Sequence, residues 1–202
     1  SEAAMCGNGI RCLAKYAYDA GYAGESCSVE TGAGVVPVAM GYVDGEFAAT
    51  ITMPEPAFER SAIPATGNGE YREDIRGFAV HAVNTGVPHA VVFAEEVDAI
   101  DLAAVGPVIR NHPTFPEGAN VNFVECAGND ILRVRTFERG VEAETECCGT
   151  GATASAAVAR RLGYVGATVR VETNGGPLVI SFSKAVTMEG PAETVFFGVI
   201  PL

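Results

Sequence analysis

Cys148-Gly149-Thr150-Gly151, with the residues that follow it to position 162, decides how this 202-residue chain is to be read. The run 152–162 is rich in Ala and Ser and free of Gly and Pro, and Gly163 stands where a helix takes a left-handed C-cap. The pattern predicts a helix opening at the CGTG turn. A cysteine there sits at the positive end of the helix, which lowers a thiol pKa, and the glycines let backbone N–H groups close on an anion. The stretch reads as a reactive thiol beside a carboxylate cradle.

The device occurs twice. At one constant offset, the separation of Cys6 from Cys148, Gly7 falls on Gly149, Gly9 on Gly151, Ala14 on Ala156 and Gly21-Tyr22 on Gly163-Tyr164. Val29-Glu30-Thr31 falls on Val171-Glu172-Thr173, and Gly34 on Gly176, with no gap. Matches this dense are an internal duplication. The expectation is one thiol at a helix start in each half. About 70 residues of strand and loop precede the cysteine in the second half and five in the first, so an equivalent first half needs roughly 65 more ahead of Ser1. The first half is therefore expected to be incomplete.

Composition sets outer bounds. With 48% hydrophobic and 19% charged residues the chain has the make-up of a globular protein with a sizeable core. A formal charge of −12, with 13 Lys and Arg against 25 Asp and Glu, argues against a nucleic-acid or anionic-membrane partner. No apolar run is long enough to span a bilayer, and the N-terminus has no basic region followed by a hydrophobic one, so a cytoplasmic location is expected. Six cysteines without an export signal read as reduced thiols. There is no C-x-x-C pair, and His81, His89 and His112 lack metal-site spacing, so no metal is expected.

Along the chain, 10–20 predicts a short buried helix with Ile10, Leu13, Ala14 and Ala17 on one face. Strands are expected over 28–30, 35–42, 47–53, 78–84, 90–93, 121–126, 131–137, 168–172, 178–183 and 195–200, with a short helix over 102–110. The segment 54–71, with three prolines and two glycines, reads as a linker. The fold class is α+β, two mainly β halves each wrapped around one helix.

Inverting a carbon next to a carboxylate needs a base on one face and an acid on the other. A thiolate and a thiol supply both, while helix N-termini stabilise the enolate-like charge between them. No cofactor is required. Lys15 and Lys184 are the only lysines, and neither has the setting of a pyridoxal-phosphate lysine.

The motifs carry a family resemblance. Met5-Cys6-Gly7-Asn8-Gly9-Ile10-Arg11-Cys12 and Cys148-Gly149-Thr150-Gly151-Ala152 resemble the two active-site motifs of the diaminopimelate epimerases. Phe115-Pro116-Glu117-Gly118-Ala119-Asn120-Val121-Asn122-Phe123 and Thr136-Phe137-Glu138-Arg139-Gly140 are similar to further signatures of that family, in the same order. The resemblance covers essentially the whole chain. It implies two pseudo-symmetric domains, here 1–53 with 193–202 and then 54–192. It also implies a cofactor-independent isomerase that interconverts LL- and meso-2,6-diaminopimelate in lysine and peptidoglycan precursor biosynthesis, commonly as a homodimer. By position, the resemblance makes Cys6 and Cys148 the acid/base pair, with His89 and Glu138 tuning the thiols. Gly7, Asn8, Gly149 and Thr150 then hold the carboxylate of the reacting centre, and Asn120, Glu138 and Arg139 contact the substrate. Val87 departs from the family, which commonly has a substrate-binding Asn before Pro-His.

Plainer readings stand beside these. Cys12, Cys27 and Cys126 read as small buried hydrophobes and Cys147 as the replacement of a small residue. His89 alone would be a structural histidine, Glu138-Arg139 a surface ion pair, and Asn120 an ordinary turn residue. Two other functions remain open: a sibling racemase acting on proline or hydroxyproline, and a non-catalytic or thiol-redox protein. A Cys147-Cys148 disulfide would be strained.

Overall fold

The computed structural model describes residues 5–198 and separates into two compact units. The first takes in the described residues through Ile51 and those from Glu189 onward; the second is Thr52–Met188.

In the first unit α1 (Gly7–Asp19) is followed by the antiparallel meander β1 (Ser26–Thr31), β2 (Gly34–Val43) and β3 (Glu46–Thr52). The helix runs three residues ahead of the predicted start, because Cys6 has extended dihedrals and caps it. Ile10, Arg11 and Ala14 are buried, whereas Leu13 is 49% exposed. The expected buried helix is thus corrected to an amphipathic one with a narrow inner stripe.

The second unit contains β4 (Arg72–Ile75), β5 (Phe78–Asn84), β6 (Pro88–Phe93), α2 (Leu102–Arg110), β7 (Asn120–Gly128), β8 (Ile131–Glu138) and β9 (Ala143–Thr145). These are followed by α3 (Gly149–Arg161), β10 (Thr168–Thr173) and β11 (Gly176–Phe182). Strands run in the order β11-β10-β8-β7-β6-β5-β4, with β9 on β8. The pairs β6·β7 and β8·β10 are parallel, and their long crossovers contain α2 and α3 respectively. β12 (Val186–Pro191) begins in the second unit and returns the chain to the first.

Helix α3 is the axis of the second unit. It touches β5, β6, β7, β8, β10 and β11, and every residue from Gly151 to Ala159 is buried. Small side chains permit that approach. Buried Thr153 and Ser155 satisfy their hydroxyls on the carbonyls of Gly149 (3.0 Å) and Gly151 (2.8 Å). The helix ends at Gly163 (φ 79°), with Arg160 and Arg161 in the last turn, where cations oppose the negative helix end.

The duplication is visible in the elements themselves. α1 and α3, β1 and β10, and the starts of β2 and β11 are all related by the offset that separates Cys6 from Cys148. Thr31 and Thr173 each donate to the carbonyl of the glycine three residues on, both at 2.7 Å.

Three expectations need correction. The linker at 54–71 belongs to the second unit: Ile63 is fully buried and Tyr71 is 2% exposed, stacked on Phe115 at 4.7 Å in the core. The last strand is β12 in place of 195–200; residues 195–198 form no strand, and 199–200 lie outside the described residues. Cys12 and Cys126 are exposed and Cys27 half-buried, so none is a buried core thiol. Among the described residues no helix is long and apolar enough to cross a membrane.

Candidate active site

Cys6 and Cys148 occupy the same structural position. Each is the N-cap of a 13-residue helix with extended dihedrals, φ −135° and ψ 108° at Cys6 and φ −117° and ψ 107° at Cys148. Each carbonyl accepts the first helical hydrogen bond at 2.9 Å, from Ile10 and Ala152. Cys6, buried Gly7 and half-buried Asn8 belong to the first unit, and the remaining predicted site residues to the second.

The thiol surroundings differ. Cys6 is exposed and its Sγ accepts from the Gly9 N–H at 3.4 Å. Cys148 is half-buried and meets the Thr150 hydroxyl at 3.4 Å. Removal from water pushes the Cys148 thiol up to about 11, and the charges of Glu138 and Cys147 act the same way. The Thr150 hydroxyl and the backbone N–H of Gly151 oppose this without prevailing. At Cys148 desolvation thus outweighs the pull of the helix end, which by itself lowers a thiol pKa.

Around it the second unit gathers most of the predicted residues. Thr85 donates to the Thr150 carbonyl at 2.9 Å, fixing the turn whose Gly149 and Thr150 backbone opens the helix. Gly149 lies against Met188, whose Sδ would be 2.8 Å from an added Cβ. Glu138 accepts from the Thr145 hydroxyl at 2.9 Å. Asn120 is 4% exposed; its Oδ1 accepts the Arg139 N–H at 2.8 Å and its Nδ2 donates to the Pro88 carbonyl at 3.3 Å. Its amide thus ties β6, β7 and the end of β8 together beside His89. Arg139 is half-buried, donates to the carbonyls of Glu117 (3.1 Å) and Gly118 (3.2 Å), and has no carboxylate partner among the described residues.

His89 is fully buried. Desolvation, helped by the Arg139 charge and resisted by a hydrogen bond with Asn122, lowers its pKa to about 3, so the ring is neutral. Its Nδ1 lies 2.9 Å from Asn122 Nδ2, and its Nε2 has no partner among the described residues. Asn122 Oδ1 accepts from Thr136 Oγ1 at 2.9 Å, and both oxygens crowd Gly151, whose added Cβ would strike Asn122 Oδ1 and lie 3.3 Å from Thr136 Oγ1 and Cys148 Cβ. Asn122, Thr136 and Thr85 are not among the residues singled out from the sequence. The signal for Asn122 is a lone amide within the otherwise apolar run Val121-Asn122-Phe123-Val124.

The family model described as diaminopimelate epimerase matches residues 81–195. A diaminopimelate epimerase of Methanothrix thermoacetophila is 58% identical over 99% of this chain and 71% of its own length. That of Methanocella arvoryzae is 53% identical over 99% of this chain and 72% of its own. Among solved structures, a probable proline racemase from Agrobacterium radiobacter superposes with a TM-score of 0.69 at 21% identity, covering 98% of this chain and 68% of that one. A hydroxyproline epimerase from Agrobacterium vitis reaches 0.63 at 20% identity, covering 93% and 64%. Those two share the fold. The chain belongs to the diaminopimelate epimerase family, whose members are amino-acid epimerases and so isomerases.

Proposed function

We propose that this chain interconverts LL- and meso-2,6-diaminopimelate without a cofactor, using Cys6 and Cys148 as a proton-transfer pair. The reaction serves lysine and peptidoglycan precursor biosynthesis. The observation that carries the reading is the duplicated N-cap cysteine, because an epimerisation needs two proton carriers of equal kind, one for each face of the α-carbon. One sulfur takes the α-proton as the C–H bond breaks; the other gives up its S–H proton as the new C–H bond forms on the opposite face. The charge that develops on the substrate carboxylate is met by backbone N–H groups at Gly7-Asn8 and Gly149-Thr150. Arg139, without a carboxylate partner among the described residues, is suited to an anionic group of the substrate, with Asn120 and Glu138 shaping the same region. Family resemblance adds a cytoplasmic homodimer to this reading.

The test is solvent-deuterium incorporation at the α-carbon of diaminopimelate, followed by NMR. Both Cys6→Ala and Cys148→Ala are expected to abolish it, and full exchange in Cys148→Ala overturns the assignment. Proline and hydroxyproline in the same assay address the racemase reading, which the fold of the two Agrobacterium structures supports. Exchange with these and none with diaminopimelate would establish that reading instead.

A further inference from the structure

Asn122 is a fully buried polar side chain that the proton-transfer scheme leaves unused. Its amide can be oriented without ambiguity. The Ala90 carbonyl, 3.4 Å from Nδ2, can only accept, so the amide nitrogen lies on the side of Ala90 and His89, and Oδ1 on the side of the Thr136 hydroxyl, which donates to it at 2.9 Å. An amide nitrogen has only hydrogens to offer. At 2.9 Å it donates to His89 Nδ1, which must therefore be the bare nitrogen of the ring. The single ring proton of a neutral imidazole then resides on Nε2, and that N–H is buried without a partner among the described residues.

We infer that Asn122 is a positioning residue that locks His89 in its Nε2–H tautomer and so keeps one uncharged hydrogen-bond donor unsatisfied until substrate arrives. An unpaired buried donor is destabilising, and that destabilisation is relieved when an anionic acceptor reaches it. Thr136 is the third member of the device, because it prevents the amide from rotating. Gly151 is the fourth, since only a residue without a Cβ leaves room for Asn122 Oδ1 beneath the helix that begins at Cys148. The use of the donor in turnover rests on the diaminopimelate reading above; the tautomer does not.

The experiment is long-range proton–nitrogen NMR on the full chain, with the three histidines labelled and His89 identified by its loss in His89→Gln. The wild-type spectrum is expected to show His89 protonated at Nε2 and bare at Nδ1 at pH 7; a proton on Nδ1, or an imidazolium, overturns the inference whatever Asn122→Asp does. Asn122→Asp keeps the size but offers an acceptor to Nδ1. It is expected to reverse the tautomer and to lower kcat about 10–100-fold with KM changed less than threefold. An unreversed tautomer refutes the positioning role. A reversed tautomer with unchanged kcat refutes the use of the donor in the reaction. Neither outcome depends on Cys148, whose own test is the exchange assay on Cys148→Ala.

Discussion

The third helical position of the two duplicated motifs offers a matched pair of substitutions with opposite expected signs. Gly151→Ala places a methyl against Asn122 Oδ1 and 3.3 Å from Thr136 Oγ1 and Cys148 Cβ, all within a buried first turn. Overpacking of this kind costs about 1–3 kcal/mol. Displacing Asn122 also weakens the Thr136 hydrogen bond, a further 0.5–1.5 kcal/mol or about that. Replacing a helical glycine returns about 1 kcal/mol. The net is a loss of about 1–3 kcal/mol, or roughly 2–12 °C in Tm for a chain of this size. Gly9→Ala meets only Cys6 Cβ and Sγ at 3.6 Å, ordinary contact, so the propensity gain of up to about 1 kcal/mol survives.

Urea denaturation followed by circular dichroism, together with amide exchange in α1 and α3, reads both variants. Because the chain has two units, exchange within each helix is the sharper measure. Faster exchange in α3 for Gly151→Ala and unchanged or slower exchange in α1 for Gly9→Ala is the expected pair. Equal effects in the two helices would refute the claim that the Asn122–Thr136 layer, and not the motif as such, requires the glycine at 151.

Three further outcomes follow from the geometry. With its pKa near 11, Cys148 in the ligand-free protein should react with iodoacetamide at a rate still rising tenfold per pH unit between pH 8 and 10, read by mass spectrometry of the labelled peptide; a plateau by pH 9 would contradict the desolvation argument. His89 is held neutral with a folded pKa near 3, below its unfolded value of about 6.5, so protons bind preferentially to the unfolded chain between those values and stability falls as pH drops through that window. His89→Gln removes this slope of about 1.4 kcal/mol per pH unit, and identical urea-midpoint slopes in variant and wild type between pH 4 and 6 would count against it. Arg135 makes a two-point grip on Glu144 (2.8 and 2.7 Å) and donates to the carbonyls of Val97 (2.8 Å) and Ile100 (3.0 Å), so Arg135→Ala should cost about 2–4 kcal/mol in the second unit, measured by urea unfolding; a loss under 0.5 kcal/mol, or about that, would show the grip to be solvent-compensated.

What the sequence discloses here follows from what periodicity can report. β5 and α2 have the very bounds that alternation and helical spacing predict, because in both the apolar pattern is complete and the flanking residues are strong stops. The segment 54–71 was misleading since prolines and glycines mark irregular backbone, not exposure, and Ile63 and Tyr71 are anchored by partners from elsewhere in the chain. β12 was missed because Val186-Thr187-Met188-Glu189-Gly190-Pro191 has weak strand propensity beside the more apolar 195–200, and only tertiary pairing selects it. The placement of both cysteines was legible from the glycines that follow them. The pKa of Cys148 was not, since desolvation depends on what packs around the sulfur from other strands, including the Glu138 charge.

The inequality of the two sulfurs bears on the kind of substrate the proposed mechanism can accept. An epimerase runs both ways, so each thiol must serve as base in one direction. At pH 7 a thiol of pKa about 11 is ionised to about one part in ten thousand, an expense of about 5 kcal/mol against any direction that begins with Cys148 as thiolate. Binding a carboxylate alone would deepen that penalty, because like charges repel in a desolvated site. A cation delivered next to the sulfur reverses it, and the α-ammonium of an amino acid is attached to the same carbon whose proton is to be moved. On this argument the ammonium group does not merely aid recognition: it supplies the charge that lets Cys148 ionise, and an α-hydroxy acid of the same shape, lacking that cation, leaves the sulfur protonated and its α-proton in place.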